Sequence, residues 1–181
     1  MKLKQLTNYL NHHLKKNKFV RLTTKQDGIK EIHRGYLHHV SREIVVYEEI
    51  AECVPMQLTA IPRSKITKAR YNKFDRYFDR VTKLYGYDHR RRWNKADIFQ
   101  SLLQQLLDVD EWVIIETSTG DRTFHIGQLE KVGKRKVSLR YFDATGCFDK
   151  KATKIEYDTI TKVVWESTYI AAFRQYMSEE R

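Results

Sequence analysis

The feature that most constrains this chain is that it is written twice. Residues 64–78 read SKITKARYNKFDRYF, and residues 158–173 read DTITKVVWESTYIAAF. Laying Phe19-Val20 over Trp112-Val113 brings Leu3, Leu6, Tyr9, Leu10 and Leu14 onto Ala96, Phe99, Leu102, Leu103 and Leu107. After a one-residue gap, Gly35 in HRGYLHHV falls on Gly127 in HIGQLEKV, and EIVVYEEI falls near KVSLRYFD. Ile66-Thr67-Lys68 then falls on Ile160-Thr161-Lys162, and Phe74 and Phe78 fall on Tyr169 and Phe173. A repeat of this length means two similar folded units rather than one merged core. The expected domains are 1–88 and 89–181, joined near residues 84–94.

Each copy follows one plan. An amphipathic helix opens it, over about 3–15 and about 95–107, with apolar residues three and four apart. Asn94 is the expected N-cap of the second helix, with Asp97 placed where an acid helps. Short runs rich in Val, Ile, Tyr and Thr follow. They cover about 19–23, 30–40, 43–50, 56–62 and 66–71 in the first copy. In the second they cover about 112–116, 122–132, 136–143, 152–157 and 160–166. Turn signals separate them at Gln26-Asp27-Gly28, at 117–121, at Gly133 and at Ala144-Thr145-Gly146. A short helix closes each copy, about 72–83 and 167–178. Its aromatics Phe74, Phe78, Tyr169 and Phe173 are expected to pack it onto the strands. The fold class is thus mostly β with helices (α+β).

Five short antiparallel strands must curl or pack on something to bury a face. Gly35 and Gly127, each in the middle of a long second strand, suit a sharp bend. A helix followed by five bent strands resembles the Sm-like small barrels, relatives of the SH3-like barrels. The resemblance covers most of the chain and implies two tandem five-stranded Sm/SH3-like barrels. Sm proteins bind single-stranded RNA through loop residues, often in rings. That site does not carry over. The Asn-bearing loop before the fourth strand is missing, and the one Arg-Gly pair, Arg34-Gly35, lies in the second strand.

The two copies differ most in charge. Residues 1–93 carry 21 Lys and Arg against 9 Asp and Glu, net +12, whereas residues 94–181 are net −1. Copies that diverge so far have divided their work, and the first is the candidate for binding a partner. Its cations crowd the last strand and helix as Arg63, Lys65, Lys68, Arg70, Lys73, Arg76, Arg80 and Lys83. The segment YGYDHRRRWNK, residues 85–95, adds Arg90, Arg91, Arg92 and Trp93, with Tyr85 and Tyr87 nearby. Cations among aromatics suit nucleic acid, because the cations neutralise phosphates and the rings stack on unpaired bases. Other readings stand beside it. Glu48, Glu49, Glu52, Asp75 and Asp79 can neutralise part of the patch. Trp93 can bury between the barrels, and the arginine run can serve as a hinge.

Catalytic and metal motifs are missing. The sequence holds no GxGxxG, GxxxxGK[ST], GxSxG or HExxH. Cys53 and Cys147 have no CxxC partner and fall in equivalent loops of different copies, so neither zinc nor an internal disulfide is expected. The pairs His12-His13 and His38-His39 point their neighbours in different directions. His33, near Arg34 and Tyr36, is the one candidate general base. The N-terminus lacks an apolar signal core and no stretch spans a membrane, so a cytoplasmic protein is expected. The expected function is non-enzymatic binding of single-stranded RNA or DNA, without a cofactor. The alternative is a protein-interaction adaptor that pairs through strand edges or meets an acidic partner. The second copy is expected to serve structure or self-association.

Overall fold

The computed structural model describes residues 3–26, 28–87, 95–119 and 123–179. The chain divides into two compact units, Met1–Lys95 and Ala96–Arg181. In the first, helix α1 (Leu3–Lys16) precedes strands β1 (Phe19–Gln26), β2 (Ile29–Val40), β3 (Ile44–Ala51) and β4 (Val54–Pro62). A 3₁₀ turn, Arg63–Lys65, leads into β5 (Ile66–Arg70), and helix α2 (Lys73–Leu84) ends the unit. The second unit repeats the series as α3 (Phe99–Asp108), β6 (Trp112–Thr117), β7 (Phe124–Val132), β8 (Lys136–Tyr141) and β9 (Thr153–Glu156). A 3₁₀ turn at Tyr157–Thr159, strand β10 (Ile160–Trp165) and helix α4 (Thr168–Glu179) complete it.

Neighbouring strands run antiparallel, in the order β5-β1-β2-β3-β4 in one unit and β10-β6-β7-β8-β9 in the other. Both units are therefore mixed α+β and built mainly of strands. The expected closed barrels are not reached. Among the described residues no pairing joins β4 to β5 or β9 to β10, so each set of five strands remains an open sheet.

The repeat is visible in the register. Val20 pairs with Gly35 and Val113 with Gly127. In each copy the pairing of the second strand with the third slips by one residue just after the glycine, at Leu37/His39 and at Leu129/Lys131. The glycines are there because the neighbouring strand comes too close for a side chain. A Cβ on Gly35 would lie 1.8 Å from the Glu48 carbonyl oxygen, and one on Gly127 would lie 1.9 Å from that of Arg140.

Helix α1 lays Leu6 and Leu10 on Val20, Leu22, Leu37, Val45, Tyr47, Ile61 and Ile66, with Tyr9 and Leu14 at the rim. This spacing of three and four residues is the apolar stripe read from the sequence. In the second unit Leu102, Leu103 and Leu106 of α3 are fully buried, and the helix packs on β7 and β8. That helix begins at Phe99, four residues later than expected. Ile98 is extended, with φ −137° and ψ 161°, and Ser101 supplies the end contacts: its hydroxyl donates to the Ile98 carbonyl at 2.9 Å. Asp97 therefore lies outside the helix, and Asn94 lies outside the described residues.

Candidate nucleic-acid interface

The cation-rich strand and helix of the first unit meet at Tyr71-Asn72. Asn72 begins α2 by accepting the backbone N–H groups of Phe74 (3.0 Å) and Asp75 (3.1 Å) on its side-chain oxygen. The Asp75 carboxylate in turn accepts the Asn72 N–H at 3.0 Å. This reciprocal cap satisfies the first free N–H groups of the helix. The helix turns Asp75, Phe78, Asp79 and Thr82 inward, and Asp75 and Thr82 are completely buried.

An inward face with two carboxylates needs partners. Asp75 lies 2.7 Å from an Arg21 guanidinium nitrogen of β1 and 3.7 Å from Nε of Arg70. Asp79 accepts hydrogen bonds from Tyr36 at 2.6 Å and Tyr71 at 2.8 Å, and pairs with Lys83 at 2.8 Å. Burial alone would raise the Asp79 pKa, but the Lys83 ammonium and the two hydroxyls outweigh it and hold the carboxyl below its usual value. Burial and the same hydrogen bonds push the Tyr71 phenol up to about 12 and the Tyr36 phenol higher still. Phe78 packs its ring 5.2 Å from that of Phe19, beside Tyr36 and Ile50.

The outward face is the unusual one. Lys73, Arg76, Tyr77, Arg80 and Leu84 face solvent together, with Phe74 on one flank. Phe74, Tyr77 and Leu84 are 74%, 72% and 76% exposed, and Tyr85, just past the helix, is 79% exposed. A shallow depression of about 310 Å³ between Asp79, Arg80, Lys83 and Leu84 lies at its edge. Phe74 and its repeat mate Tyr169 are expected to pack inward. Both instead lie on the flank of their helices and are exposed, 74% and 51%, because the next position round, Asp75 or Ile170, takes the buried place.

The repeat makes the difference plain. In α4 the positions of Asp75, Phe78 and Thr82 hold Ile170, Phe173 and Met177, which join the apolar cluster of their unit. The positions of Arg76, Tyr77 and Arg80 hold Ala171, Ala172 and Gln175. The second copy is thus apolar inside, and outside it sets Ala171, Ala172 and Gln175 beside the exposed rings of Tyr169 and Tyr176. The first copy keeps Phe78 inward but buries Asp75 and Asp79 beside it, and sets cations and Tyr77 where the second copy has alanines and a glutamine.

The structure sorts the twelve residues read from the sequence. Lys73, Arg76 and Arg80 share the outer side of α2. Lys65 and Lys68 are exposed on the 3₁₀ turn and on β5, and Lys68 shares a face of that strand with Arg70. Three others are engaged within the fold. Arg63 is buried, hydrogen-bonded to the Thr7 hydroxyl and donating to the Ser41 carbonyl at 3.2 Å. Arg70 serves Asp75. Lys83 serves Asp79 and sits 5.7 Å over the Tyr36 ring. Arg90, Arg91, Arg92 and Trp93 lie outside the described residues. Of the flanking aromatics, Tyr87 stacks on Tyr36 at 4.5 Å and donates to Glu48 at 2.5 Å.

Sequence reasoning missed Arg21 as the counter-charge of α2, and Phe74, Tyr77 and Leu84 as surface residues. Part of the signal was present in N-x-x-D at 72–75, a capping box that fixes where the helix starts and gives Asp75 a structural role.

The candidate general base, His33, is 5% exposed, with one ring nitrogen 3.0 Å from the Thr24 hydroxyl and the other 2.8 Å from that of Tyr47. Both nitrogens are thus engaged inside the unit. His13 is buried and donates from Nδ1 to the Phe19 carbonyl at 3.0 Å, while its neighbour His12 is exposed. Among the described residues no group of three His, Cys, Asp or Glu side chains is arranged to hold a metal. Among them, too, no helix is long and apolar enough to cross a membrane. Comparison with known proteins finds no matching family model, no matching curated protein and no matching solved structure, so the resemblance to small Sm-like barrels rests on element order and the bend at the glycines alone.

Proposed function

We propose that this protein is a non-enzymatic binding module for single-stranded nucleic acid, RNA or DNA, and that the first unit makes the contact. The observation that carries the reading is the outer face of α2, where Lys73, Arg76 and Arg80 stand among exposed rings with no acid between them. Lys65 and Lys68 extend the positive surface onto the neighbouring turn and strand. Each phosphate neutralised releases counterions, and that release drives binding. Each unit is proposed to curl as a small Sm/SH3-like barrel, which the strand order and the register slips just after Gly35 and Gly127 support. On this reading the second unit is a structural or self-associating copy, and the protein is cytoplasmic.

Fluorescence anisotropy with labelled single-stranded RNA and DNA, titrated over several salt concentrations, tests this. Five free cations give a log–log slope near about −3.5, since each phosphate contributes roughly −0.7 on a single strand. Were all eight strand and helix cations in contact, the slope would approach about −5.6. The K73E/R76E/R80E variant is expected to lose binding. Binding that is weak at all salts and indifferent to the variant would reject the reading, and capture of an acidic protein by the same cations would replace it with the adaptor.

A further inference from the structure

Helix α2 is locked with its rings in water. Rolling it to bury Phe74 or Tyr77 would pull Asp75 from Arg21 and Asp79 from Tyr36, Tyr71 and Lys83. Such a roll would strand the buried Tyr36 hydroxyl and the largely enclosed Arg21 guanidinium without their carboxylate partners, which is strongly unfavourable. The rings are therefore fixed outward by the polar contacts on the far side of the same helix.

Their placement is specific. With 3.6 residues per turn, Lys73, Tyr77, Arg80 and Leu84 form the outermost row, Arg76 lies on one flank and Phe74 on the other. Both acids of the helix, Asp75 and Asp79, are on the inner side, so among the described residues of the helix the outer row carries positive charge and aromatic surface without an acid. From Lys73 to Leu84 the row runs about 16 Å at 1.5 Å per residue, which matches about five nucleotides of a stacked strand at 3.4 Å each.

Resting on the nucleic-acid reading above, we propose that Phe74 and Tyr77 are a stacking platform for unpaired bases, with Lys73, Arg76 and Arg80 holding the phosphates between them, so that α2 selects single strands over duplex. An unpaired base offers a free face to each ring. Bases within a duplex are already stacked on one another, so a duplex meets only the cations. The charge complementarity favours a polyanion, and exposed rings without a broad aliphatic surface favour stacking over insertion into a lipid layer.

The test compares single-stranded and duplex DNA of one sequence, with the wild-type chain, F74A/Y77A, F74Y/Y77F and K73E/R76E/R80E. All substituted side chains are exposed, and thermal unfolding checks that each variant folds. F74A/Y77A is expected to weaken single-strand binding about tenfold or more. It should leave duplex affinity and the salt slope unchanged, and F74Y/Y77F should bind like wild type. Equal loss on both forms, or no loss in F74A/Y77A while the charge variant still abolishes binding, overturns the platform and leaves the nucleic-acid reading standing. A wild-type chain that binds neither form at low salt overturns both.

Discussion

Gly35 shows how one residue sets the shape of a unit. Its missing side chain lets β2 lie against β3 with the Glu48 carbonyl where a Cβ would be. Gly35→Ala must push the two strands apart and is expected to cost on the order of 3 kcal/mol, read as a lower denaturant midpoint with an unchanged slope. Asp79 acts differently. Its pKa is lower folded than unfolded, so it stabilises the fold above the ordinary carboxylate pKa of about 3.9 and loses that contribution as pH falls through the folded value. Asp79→Asn is expected to lower stability at pH 7 and flatten the acid limb of the curve below about pH 4, measured by urea midpoints across pH. If wild type and variant decline in parallel, the Tyr36–Asp79–Tyr71 contacts do not hold the helix. At this scale the sequence was readable where a residue has one reason to be there. The paired glycines were legible, because a bend at the centre of a strand asks for glycine. The buried roles of Arg63 and Asp79 were not, because a charged residue in a charged run looks like surface until its partner, distant in sequence, is known.

At the scale of elements, the strands were legible almost to the residue. Runs of β-branched and aromatic residues leave few other structures available to 44–51 or 160–165. Helix ends were less so. The second amphipathic helix was expected from 95 and begins at Phe99, because its apolar stripe also suits the extended residues before it. The phase of α2 was misjudged for a physical reason. An aromatic residue has a strong prior for the interior, and Phe74 sits instead on the flank, one position round from the face that Asp75 and Asp79 occupy inside. Removing the helix cap by Asn72→Ala is expected to cost about 1 kcal/mol. If the rings are held outward only by the cap and the buried carboxylates, it should also weaken single-strand binding, although Asn72 touches no ligand. Anisotropy and thermal unfolding on the same sample separate the two effects, and unchanged binding would show that the ion pairs suffice.

For the whole molecule, the division of charge between the copies is the main clue to function. A protein that bound polyanions by net charge alone would respond equally to charge removed anywhere. Reversing the exposed Lys134, Arg135, Lys150 and Lys151 of the second unit removes more positive charge than K73E/R76E/R80E does. It is nevertheless expected to leave most of the affinity in place, and comparable losses from both variants would reduce the α2 face to a contributor to bulk charge. The sequence by itself determined the repeat, the ten strands, the closing helices and the charge asymmetry, since all of these follow from local periodicity, glycine placement and counting. Only the tertiary structure decided that Arg63, Arg70 and Lys83 are engaged inside the first unit, that His33 is enclosed, and that α2 turns its carboxylates in and its rings out. Those outcomes depend on which side chains from β1, β2 and β5 meet the helix. Such meetings are set by packing between residues far apart in the chain, where no local pattern reaches.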